Sequence, residues 1–419
     1  MTSPASDLVY DWNSRRRRGA LSPLSEGSLS FFDETLRDGI QSPSVRDPSL
    51  AEKQEILRLT ASLGIDAVDL GLPGAGPRAV EDVTELIRFA ERERLGIQYA
   101  CAARTHERDI NAVADIAQAT GQPIMVYAFL GSSPIRLYTE DWDVQTLLKR
   151  TREAAELCQK REIEMCFVTE DTTRSNPEDV KMIYQRAMEL GVRRLCVCDT
   201  CGHVTPNGVK KLLAFIDEEV IKDAGYQRRD IEVNWHGHQD RGLGVANNIA
   251  AVEAGADVIH GTALGVGERA GNAPLDQTLV NLKLMGVIDN DLTMLDTYMQ
   301  KANEYIEVPL PRNYPVFGED AFETGTGVHA SAVIKAMRKG DHWLADRVYS
   351  GVPAGDFGLK QVIRIGHMSG RSNIVWWLEQ NGIEASDDLV AHLFEVAKSQ
   401  KRNMLDEEIH QAVATFAGQ

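Results

Sequence analysis

Two histidines separated by one residue are the strongest candidates for chemistry in this chain of 419 residues. His236 and His238 close the apolar run IEVNWH (231–236), which has the composition of a β-strand. Side chains two apart on a strand point to the same face, so both imidazoles can offer a nitrogen to one ion. Asp38, which follows an earlier apolar run, would complete a set of two histidines and one carboxylate with open positions for substrate. We therefore predict a divalent cation site, for which Mg, Mn and Zn are all suitable.

Arg37 stands directly before this aspartate and suggests what the ion is for. A guanidinium beside a metal site is useful where negative charge develops during a reaction. The alternative is a structural ion pair with Glu170 or Asp33. We favour the functional role, and we expect Gln41, in the same turn, to contact the substrate.

Three further signals are weaker. Cys196, Cys198 and Cys201 form C-x-C-x-x-C, which could hold a metal as thiolates. The first two lie inside an apolar run, however, so we expect buried thiols that pack as small apolar groups. The glycine-rich stretch GVGERAGNA (265–273) could cradle a phosphate, but one such loop is weak evidence. His260, in the middle of another apolar run, is expected to be a hydrogen-bonded core residue.

Eight short apolar runs alternate with helix-periodic stretches from residue 28 onward. Most are rich in β-branched or aromatic residues, as in strands buried on both faces of a parallel sheet. The runs are LSFFDE (29–34), IDAVDLGL (65–72), IQYACAA (97–103), IMVYAFL (124–130), IEMCFVTE (163–170), RLCVCDT (194–200), IEVNWH (231–236) and DVIHGTA (257–263). Eight strand–helix units over roughly 250 residues indicate an α/β protein of the TIM (β/α)8 barrel type. A doubly wound sheet is the alternative, but no G-x-G-x-x-G follows the first run.

The polar candidates all fall where such a barrel performs its chemistry. Active sites of TIM barrels lie at the carboxyl ends of the strands. Glu170 ends the fifth run, Thr200 ends the sixth, and the histidine pair ends the seventh. Together with the turn after the first run, these ends predict one rim on which the charged and metal-binding groups converge.

The alternation of apolar runs and helix-periodic stretches, and the points where it begins and ends, divide the chain into four parts. Residues 1–27 form an N-terminal arm that carries Arg15 to Arg18, and residues 28–290 form the barrel. The proline-rich segment VPLPRNYPVFG lies within a linker, residues 291–327. Residues 328–419 are expected to form a helical subdomain.

Composition excludes several classes of protein. The 45 Lys and Arg against 62 Asp and Glu give a net charge of −17, which argues against duplex DNA or a membrane surface as partner. The sequence contains no run of ~18 apolar residues, so it predicts no membrane-spanning helix. The six cysteines are dispersed and no secretory signal is recognisable, so we expect reduced thiols and a cytoplasmic protein.

Three motifs give the chain a family resemblance. DETLRDGIQ (33–41), HGHQDRGLGVAN (236–247) and GVGERAGNAPLDQ (265–277) resemble the hallmark motifs of the 2-isopropylmalate synthase and homocitrate synthase family. That family belongs to the metal-dependent TIM-barrel condensing enzymes and lyases. The similarity continues through VTEDTTRSNPEDV and CDTCGHVTP to GTGVHASAVIKA and IRIGHMSGRSNI, and so covers nearly the whole chain.

The resemblance implies roles for individual residues. Arg37 and Glu170 match a catalytic arginine and glutamate, and Thr200 matches a threonine that contacts the carboxylate of a 2-oxo acid. His329 and Tyr349 match residues that a neighbouring subunit contributes, which implies an intertwined homodimer. The implied metal ligands are Asp38, His236 and His238, with Asn272 close enough to assist.

The activity that the resemblance implies is a Claisen condensation of acetyl-CoA, as co-substrate, with a 2-oxo acid. The products are a 2-alkylmalate and CoA, and His329, coupled to Glu170 or Tyr349, is the candidate base. A lyase or aldolase of the same superfamily is one alternative. Hydroxymethylglutaryl-CoA lyases, however, carry a cysteine in the loop after strand 8, whereas GVGERAGNA has none. A non-catalytic barrel is another alternative, although the full set of chemical residues argues against it.

Departures from the family pattern leave the acceptor open. Arg136 stands where isopropylmalate synthases typically carry His, and Cys166 and Val168 replace a pocket Ser or Arg. If Arg136 faces the pocket, a dicarboxylic or phosphonate-bearing acceptor is favoured. If it faces solvent, Leu72, Cys166 and Val168 form an apolar pocket for a branched or aromatic 2-oxo acid. We favour the second arrangement, because an exposed arginine is the commoner state.

Overall fold

Eight parallel strands form a closed barrel in the order in which they occur along the chain. This architecture is seen in a computed structural model, which describes residues 8–9 and 29–418. The strands are β1 Ser30–Asp33, β2 Ala67–Asp69, β3 Gln98–Arg104, β4 Ile124–Gly131, β5 Met165–Glu170, β6 Arg194–Asp199, β7 Glu232–Gly237 and β8 Val258–Gly261. All eight lie within the predicted apolar runs or overlap them, which confirms the TIM barrel. Apart from residues 8–9, the predicted N-terminal arm with Arg15 to Arg18 lies outside the described residues.

Helices follow the strands and cover the barrel. They are α1 Leu50–Ser62, α2 Pro77–Glu93, α3 Glu107–Thr120, α4 Pro134–Glu140, α5 Val144–Lys160, α6 Pro177–Glu189, α7 Pro206–Phe215, α8 Gly244–Glu253 and α9 Leu275–Leu284. The first begins at a capping box, in which Ser49 and Glu52 each bond the other's backbone N–H. Beyond its end, Gly64 takes φ +69°, which glycine adopts without strain. Local sequence therefore sets both ends of α1.

Two apolar layers hold the barrel together. The larger layer lies between the strands and the helices, and a smaller one fills the interior of the barrel. Inside, the Phe32 ring stacks on Tyr127 with centroids 4.6 Å apart and lies 4.5 Å from the ring of His260. Phe32 and His260 are also register partners in the β1–β8 pairing that closes the barrel. This packed layer fills the interior of the barrel below the carboxyl ends of the strands.

The segment after the barrel differs in part from a linker. Helix α10, Leu295–Ile306, packs against α1 and the barrel core. The Tyr298 hydroxyl donates to Asp33 Oδ2 at 2.6 Å, below the active rim. The apolar periodicity of this helix, which faces the barrel, is the reason that part of residues 291–327 joins the barrel body.

The remaining chain is mainly helical, as predicted. Its helices are α11 Gly327–Arg338, α12 His342–Arg347, α13 Arg371–Gln380, α14 Asp387–Ser399 and α15 Asp406–Ala417. The short strands β9 Glu323–Thr324 and β10 Val362–Ile363 pair in parallel. Two small apolar clusters of its own stabilise this region. Within the described residues, none of the helices combines the length and apolar character that crossing a bilayer requires.

Candidate active site

Asp38, His236 and His238 meet at the carboxyl end of the barrel. Asp38 lies in the turn after β1, His236 in β7 and His238 directly after it. Their candidate ligand atoms all lie within 4.8 Å of one another, and His238 Nε2 is 4.0 Å from Asp38 Oδ2. All three side chains are buried. A carboxylate oxygen and two imidazole nitrogens at this spacing could hold one divalent cation.

Asn272 lies against this group in a way that suits a fourth ligand. Its Nδ2 donates to Asp38 Oδ1 at 2.6 Å and to Val266 O at 3.1 Å. Its Oδ1 is buried and has no hydrogen-bond partner among the described residues. Gly267 permits this contact, since a Cβ there would lie 2.2 Å from Asn272 Nδ2. An unpaired buried amide oxygen beside a carboxylate fits a hard divalent cation.

Glu34 is a functional candidate that the sequence analysis missed. Its carboxylate lies 2.6 Å from His236 Nδ1 through Oε2 and accepts from Arg37 Nη2 at 2.5 Å through Oε1. An Nδ1–H that donates to this carboxylate leaves Nε2 of His236 with the lone pair a metal needs. The available signal was an acid directly after the first apolar run, within DETLRD.

Glu34 also forms a second acidic and imidazole group with His236 and His260. His260 Nδ1 lies 3.4 Å from Glu34 Oε1, while its Nε2 contacts Asn234 Oδ1 at 3.1 Å. A metal ion here would stand against the guanidinium of Arg37, which already occupies Glu34 Oε1. Like-charge repulsion therefore favours a supporting role for Glu34, and His260 is the hydrogen-bonded core residue that was expected.

Arg37 is held by three carboxylates. Besides Glu34, it donates through Nη1 to Asp38 Oδ2 at 2.7 Å and through Nε to Asp69 Oδ2 at 2.8 Å. Neither Glu170 nor Asp33, the partners considered for a structural ion pair, bonds it in the described part of the chain. Burial alone would lower the pKa of Arg37, but the three acids raise it well above its usual value. The guanidinium is thus a fixed positive charge beside the candidate metal ligands.

The two histidines differ in charge. Burial alone would lower the pKa of His236, but Glu34 raises it to about 9. Burial and the neighbouring His236 lower the pKa of His238 to about 4. His236 therefore attracts a positive charge, as a proton or as a metal ion, while His238 is neutral near pH 7 with a lone pair available.

A cavity of about 330 Å³ opens beside these groups. Thr200, Gln41 and Glu170 line it together with the three metal-binding candidates and Arg37. Burial raises the pKa of Glu170, with Arg136 and Arg37 opposing the shift. The apolar part of its wall consists of Leu72, Ala102, Phe129 and Val168. This volume is within the range of small-molecule sites.

Arg136 is not among the residues that line this cavity. It lies in α4, with a side chain 49% exposed, and its Nη2 pairs with Glu140 at 3.0 Å. Its aliphatic stem covers Gly131, where a Cβ would meet Arg136 Cγ at 2.6 Å. Arg136 is therefore half-exposed and paired within its own helix, although its charge is near enough to Glu170 to oppose the rise in the pKa of that carboxyl.

His329 and Tyr349 also lie away from the cavity within one chain. Their rings stack with centroids 4.2 Å apart on the helical extension. Tyr349 is 51% exposed, and His329 is exposed as well. A single chain therefore does not bring the expected base to the metal site.

The structure places the cysteine motif and the glycine-rich motif in different surroundings. Cys196 and Cys198 are buried thiols inside β6, as expected, and Cys201 lies in the loop beyond. The glycine-rich loop contributes Glu268 and Arg269 to the cavity wall, and its Asn272 contacts Asp38 beside the cavity. Arg269 is paired with Asp240 at 2.8 Å, so its charge is already compensated.

Comparison with known proteins gives close agreement over most of the chain. Residues 28–302 match the family described as HMGL-like. A probable 2-isopropylmalate synthase from Methanopyrus kandleri is 33% identical over 363 residues, which cover 86% of this chain and 67% of that protein. A homocitrate synthase from the same organism is 31% identical over 88% of this chain and 86% of that protein. A 2-isopropylmalate synthase from Sediminispirochaeta smaragdinae is 28% identical over 93% of this chain and 76% of that protein.

Solved structures agree on the fold. The HMG-CoA lyase of Bacillus subtilis superimposes with a TM-score of 0.56 at 19% identity, covering 68% of this chain and 95% of that chain. This similarity concerns the barrel architecture alone. The sequence matches confirm the resemblance seen in the three motifs, and the chain belongs to the HMGL-like family.

Proposed function

We propose that this protein is an acyltransferase that condenses acetyl-CoA with a 2-oxo acid to give a 2-alkylmalate and CoA. The observation that carries the proposal is the cluster of Asp38, His236 and His238 with Arg37 beside a small-molecule cavity. The names of the relatives, 2-isopropylmalate synthase and homocitrate synthase, support the same class of reaction.

The donor set suits a divalent cation. The carboxylate of Asp38, two imidazoles and the free amide oxygen of Asn272 offer oxygen and nitrogen ligands of the kind that Mg, Mn and Zn accept. When bound, such an ion would polarise the keto group of the acceptor as a Lewis acid. Glu34 orients His236 for this purpose through the Nδ1 contact.

The residues account for the changes in charge during condensation. A base takes a proton from the acetyl methyl group, and the methyl carbon forms a bond to the keto carbon. The keto oxygen then carries negative charge, which Arg37 stabilises from its fixed position at the rim. Thr200 and Gln41 orient the acceptor from the cavity wall. Hydrolysis of the thioester by water then releases CoA.

One chain by itself does not bring all the candidate proton-transfer groups to the cavity. Glu170 lies on the cavity wall, and the burial that raises its pKa suits a carboxyl group that exchanges protons. The exposed His329–Tyr349 pair suits a contribution to the cavity of a second copy. We therefore propose a homodimer in which each extension completes the partner's site.

The cavity favours an acceptor with an uncharged side chain. Arg136 does not line the cavity and pairs with Glu140, and the arginines that do line it, Arg37 and Arg269, are each engaged by carboxylates. The wall formed by Leu72 and Val168 with its apolar neighbours suits a branched or aromatic 2-oxo acid. A role in amino-acid biosynthesis in the cytoplasm is consistent with this substrate and with six free thiols.

CoA release tests the proposal directly. Purified protein with Mg, Mn or Zn is mixed with acetyl-CoA and one of pyruvate, 2-oxoisovalerate, 2-oxoglutarate, phenylpyruvate or phosphonopyruvate. We expect acceptor-dependent thiol release that is highest with 2-oxoisovalerate or phenylpyruvate and is lost after chelation. Absence of release with every acceptor, together with cleavage of a 3-hydroxyacyl-CoA, would favour a lyase. Preference for 2-oxoglutarate or phosphonopyruvate would contradict the uncharged acceptor.

A further inference from the structure

Two thiols on β6 form a pair that the proposed reaction does not use. Cys196 and Cys198 are two apart on the strand, so both side chains point into the barrel. Their Sγ atoms are 3.7 Å apart, and both line the cavity. Cys198 is the register partner of His236, which puts it in the layer of the metal ligands.

The separation of the sulfurs matches a chelate better than a disulfide. Two sulfurs bound at ~2.3 Å to one centre, with an S–X–S angle of ~100–110°, are ~3.5–3.8 Å apart. A disulfide needs ~2.05 Å, so the two sulfurs would have to approach by more than 1 Å within a regular strand. Cys196 and Cys198 therefore have the spacing of a bidentate thiol ligand without any movement of the backbone.

The surroundings favour a neutral ligand over a cation. The two side chains are only 1% and 2% exposed and pack with Tyr127 and Val168 in the apolar interior. A centre that condenses with both thiols and leaves no net charge is compatible with this burial. Within the described residues, no third cysteine, histidine or carboxylate joins the pair in a metal-binding group.

We propose that Cys196 and Cys198 form a binding site for trivalent arsenic, in the form of an organic arsenoxide. Two As–S bonds form and the As=O bond breaks, while both thiol protons leave with the oxygen as one molecule of water. Arsenic stays trivalent and nothing is oxidised or reduced. The adduct fills the cavity between Glu170 and His236, so it excludes the acceptor.

Phenylarsine oxide tests this site on the whole protein. At one equivalent, we expect the intact mass to show one phenylarsenic group per chain and the thiols titrated in denaturant to fall from six to four. 2,3-Dimercaptopropanol should restore all six, whereas 2-mercaptoethanol should not, because a chelate resists single thiols. Fragmentation of the adduct should place the arsenic within residues 195–200.

Single substitutions locate the pair. Cys196→Ser and Cys198→Ser should each abolish the stable adduct, while Cys158→Ser and Cys201→Ser should form it as the unaltered protein does. Protection of two thiols in either of the first two variants, or an adduct on Cys166, would overturn the proposal. If a variant fails to fold, the fragment map of the unaltered protein decides.

The consequence for turnover rests on the proposed condensation and is measured separately. Acetyl thioester consumption should fall by at least tenfold in the adduct and recover with 2,3-dimercaptopropanol. Saturating 2-oxo acid should slow adduct formation, because both occupy the cavity, and an unchanged rate would contradict this overlap. An adduct on Cys196 and Cys198 in a protein without condensing activity would reject the proposed function and leave the thiol site standing.

Discussion

The candidate catalytic side chains at the rim of the barrel differ from those on the helical extension in burial and in bonding. At the rim, Glu34, Arg37 and Asp38 are mostly buried and are bonded to one another within one chain. On the extension, His329 and Tyr349 are exposed and contact each other by stacking alone. A buried charge is costly without a partner, so the rim must be complete as folded, whereas an exposed pair remains free to meet another surface.

This difference suggests a division of labour. The groups proposed to hold a cation and to stabilise negative charge are preorganised by the barrel, which fixes their positions in the folded chain. The candidate base lies on a region that reaches the cavity only if a second copy brings it there. Substitutions in the two regions test this division.

Mixing two inactive variants tests whether the extension acts in trans. His329→Ala and His236→Ala should each lose about 10²–10⁴ in turnover, the range typical of losing a general base or a comparable group. Random reassortment should then restore about a quarter of normal turnover, since about half the dimers are mixed and each has one intact site. CoA release is measured after co-refolding.

The control is a mixture in which both substitutions are placed in the same chain. Protein carrying both substitutions in one chain, mixed with either single variant, should gain no activity, because no site then receives an intact set. Verified mixed dimers that stay inactive with separate substitutions would indicate that His329 does not serve the partner's cavity.

Arg37→Ala tests the rim itself. Removing a preorganised donor from a developing oxyanion commonly costs ~10²–10³ in kcat, so most turnover should disappear. The three buried carboxylates that lose their guanidinium should also lower the thermal stability of the fold. Steady-state CoA release and circular dichroism provide the two measurements. Arg152→Ala, a change at a half-exposed arginine on α5, should leave turnover near normal. Near-normal turnover in Arg37→Ala would reject its role.

Glu34→Gln asks whether the metal site depends on its supporting carboxylate. Loss of the negative charge at His236 Nδ1 should weaken divalent cation binding about 10–100-fold. Chelator competition with Mn or Zn measures this affinity without reference to turnover. Glu34→Asp should recover part of it, since the charge returns on a shorter side chain. Unchanged cation affinity in Glu34→Gln would indicate that Glu34 serves only to pair with Arg37 and does not support the metal site.

Val168→Ala produces the smallest expected effect and concerns the cavity wall. Removing two methyl groups should lower kcat/KM for 2-oxoisovalerate by about tenfold, in the range of 1–3 kcal/mol for apolar pocket contacts. Pyruvate, which is too small to reach this wall, should be affected much less, so the ratio of the two acceptors is the internal control. An equal loss for both would show that the residue supports the fold instead of the acceptor.

Some of the site follows from local pattern. The spacing of His236 and His238 on one strand suffices to predict that both imidazoles face the same way, and the turn with Arg37 and Asp38 follows a recognisable first strand. Their meeting at one rim could be predicted once eight repeated units indicated a barrel. The clustering of all three metal candidates within 4.8 Å agrees with that expectation.

Other features depended on distances that no local pattern contains. In the sequence, little distinguishes Glu34 from the many other acidic residues. The closed barrel brings the end of β1 to β7, where Glu34 contacts His236, 202 positions away in the sequence. Asp69 becomes a partner of Arg37 only because β2 lies beside β1. Glu170 and Asp33, the alternative ion-pair partners of Arg37, do not bond it in the described residues for the same reason, since proximity in a closed barrel depends on register.

The sequence alone determined the repeating strands and helices, the residue types at the strand ends and the family, because periodicity and spacing are properties of neighbouring residues. The tertiary structure decided which charges pair, that Arg136 pairs with Glu140 and does not line the cavity, that His329 lies outside its own cavity, and that two thiols stand 3.7 Å apart. These outcomes depend on how the barrel closes, because closure sets distances between residues that are remote in the chain.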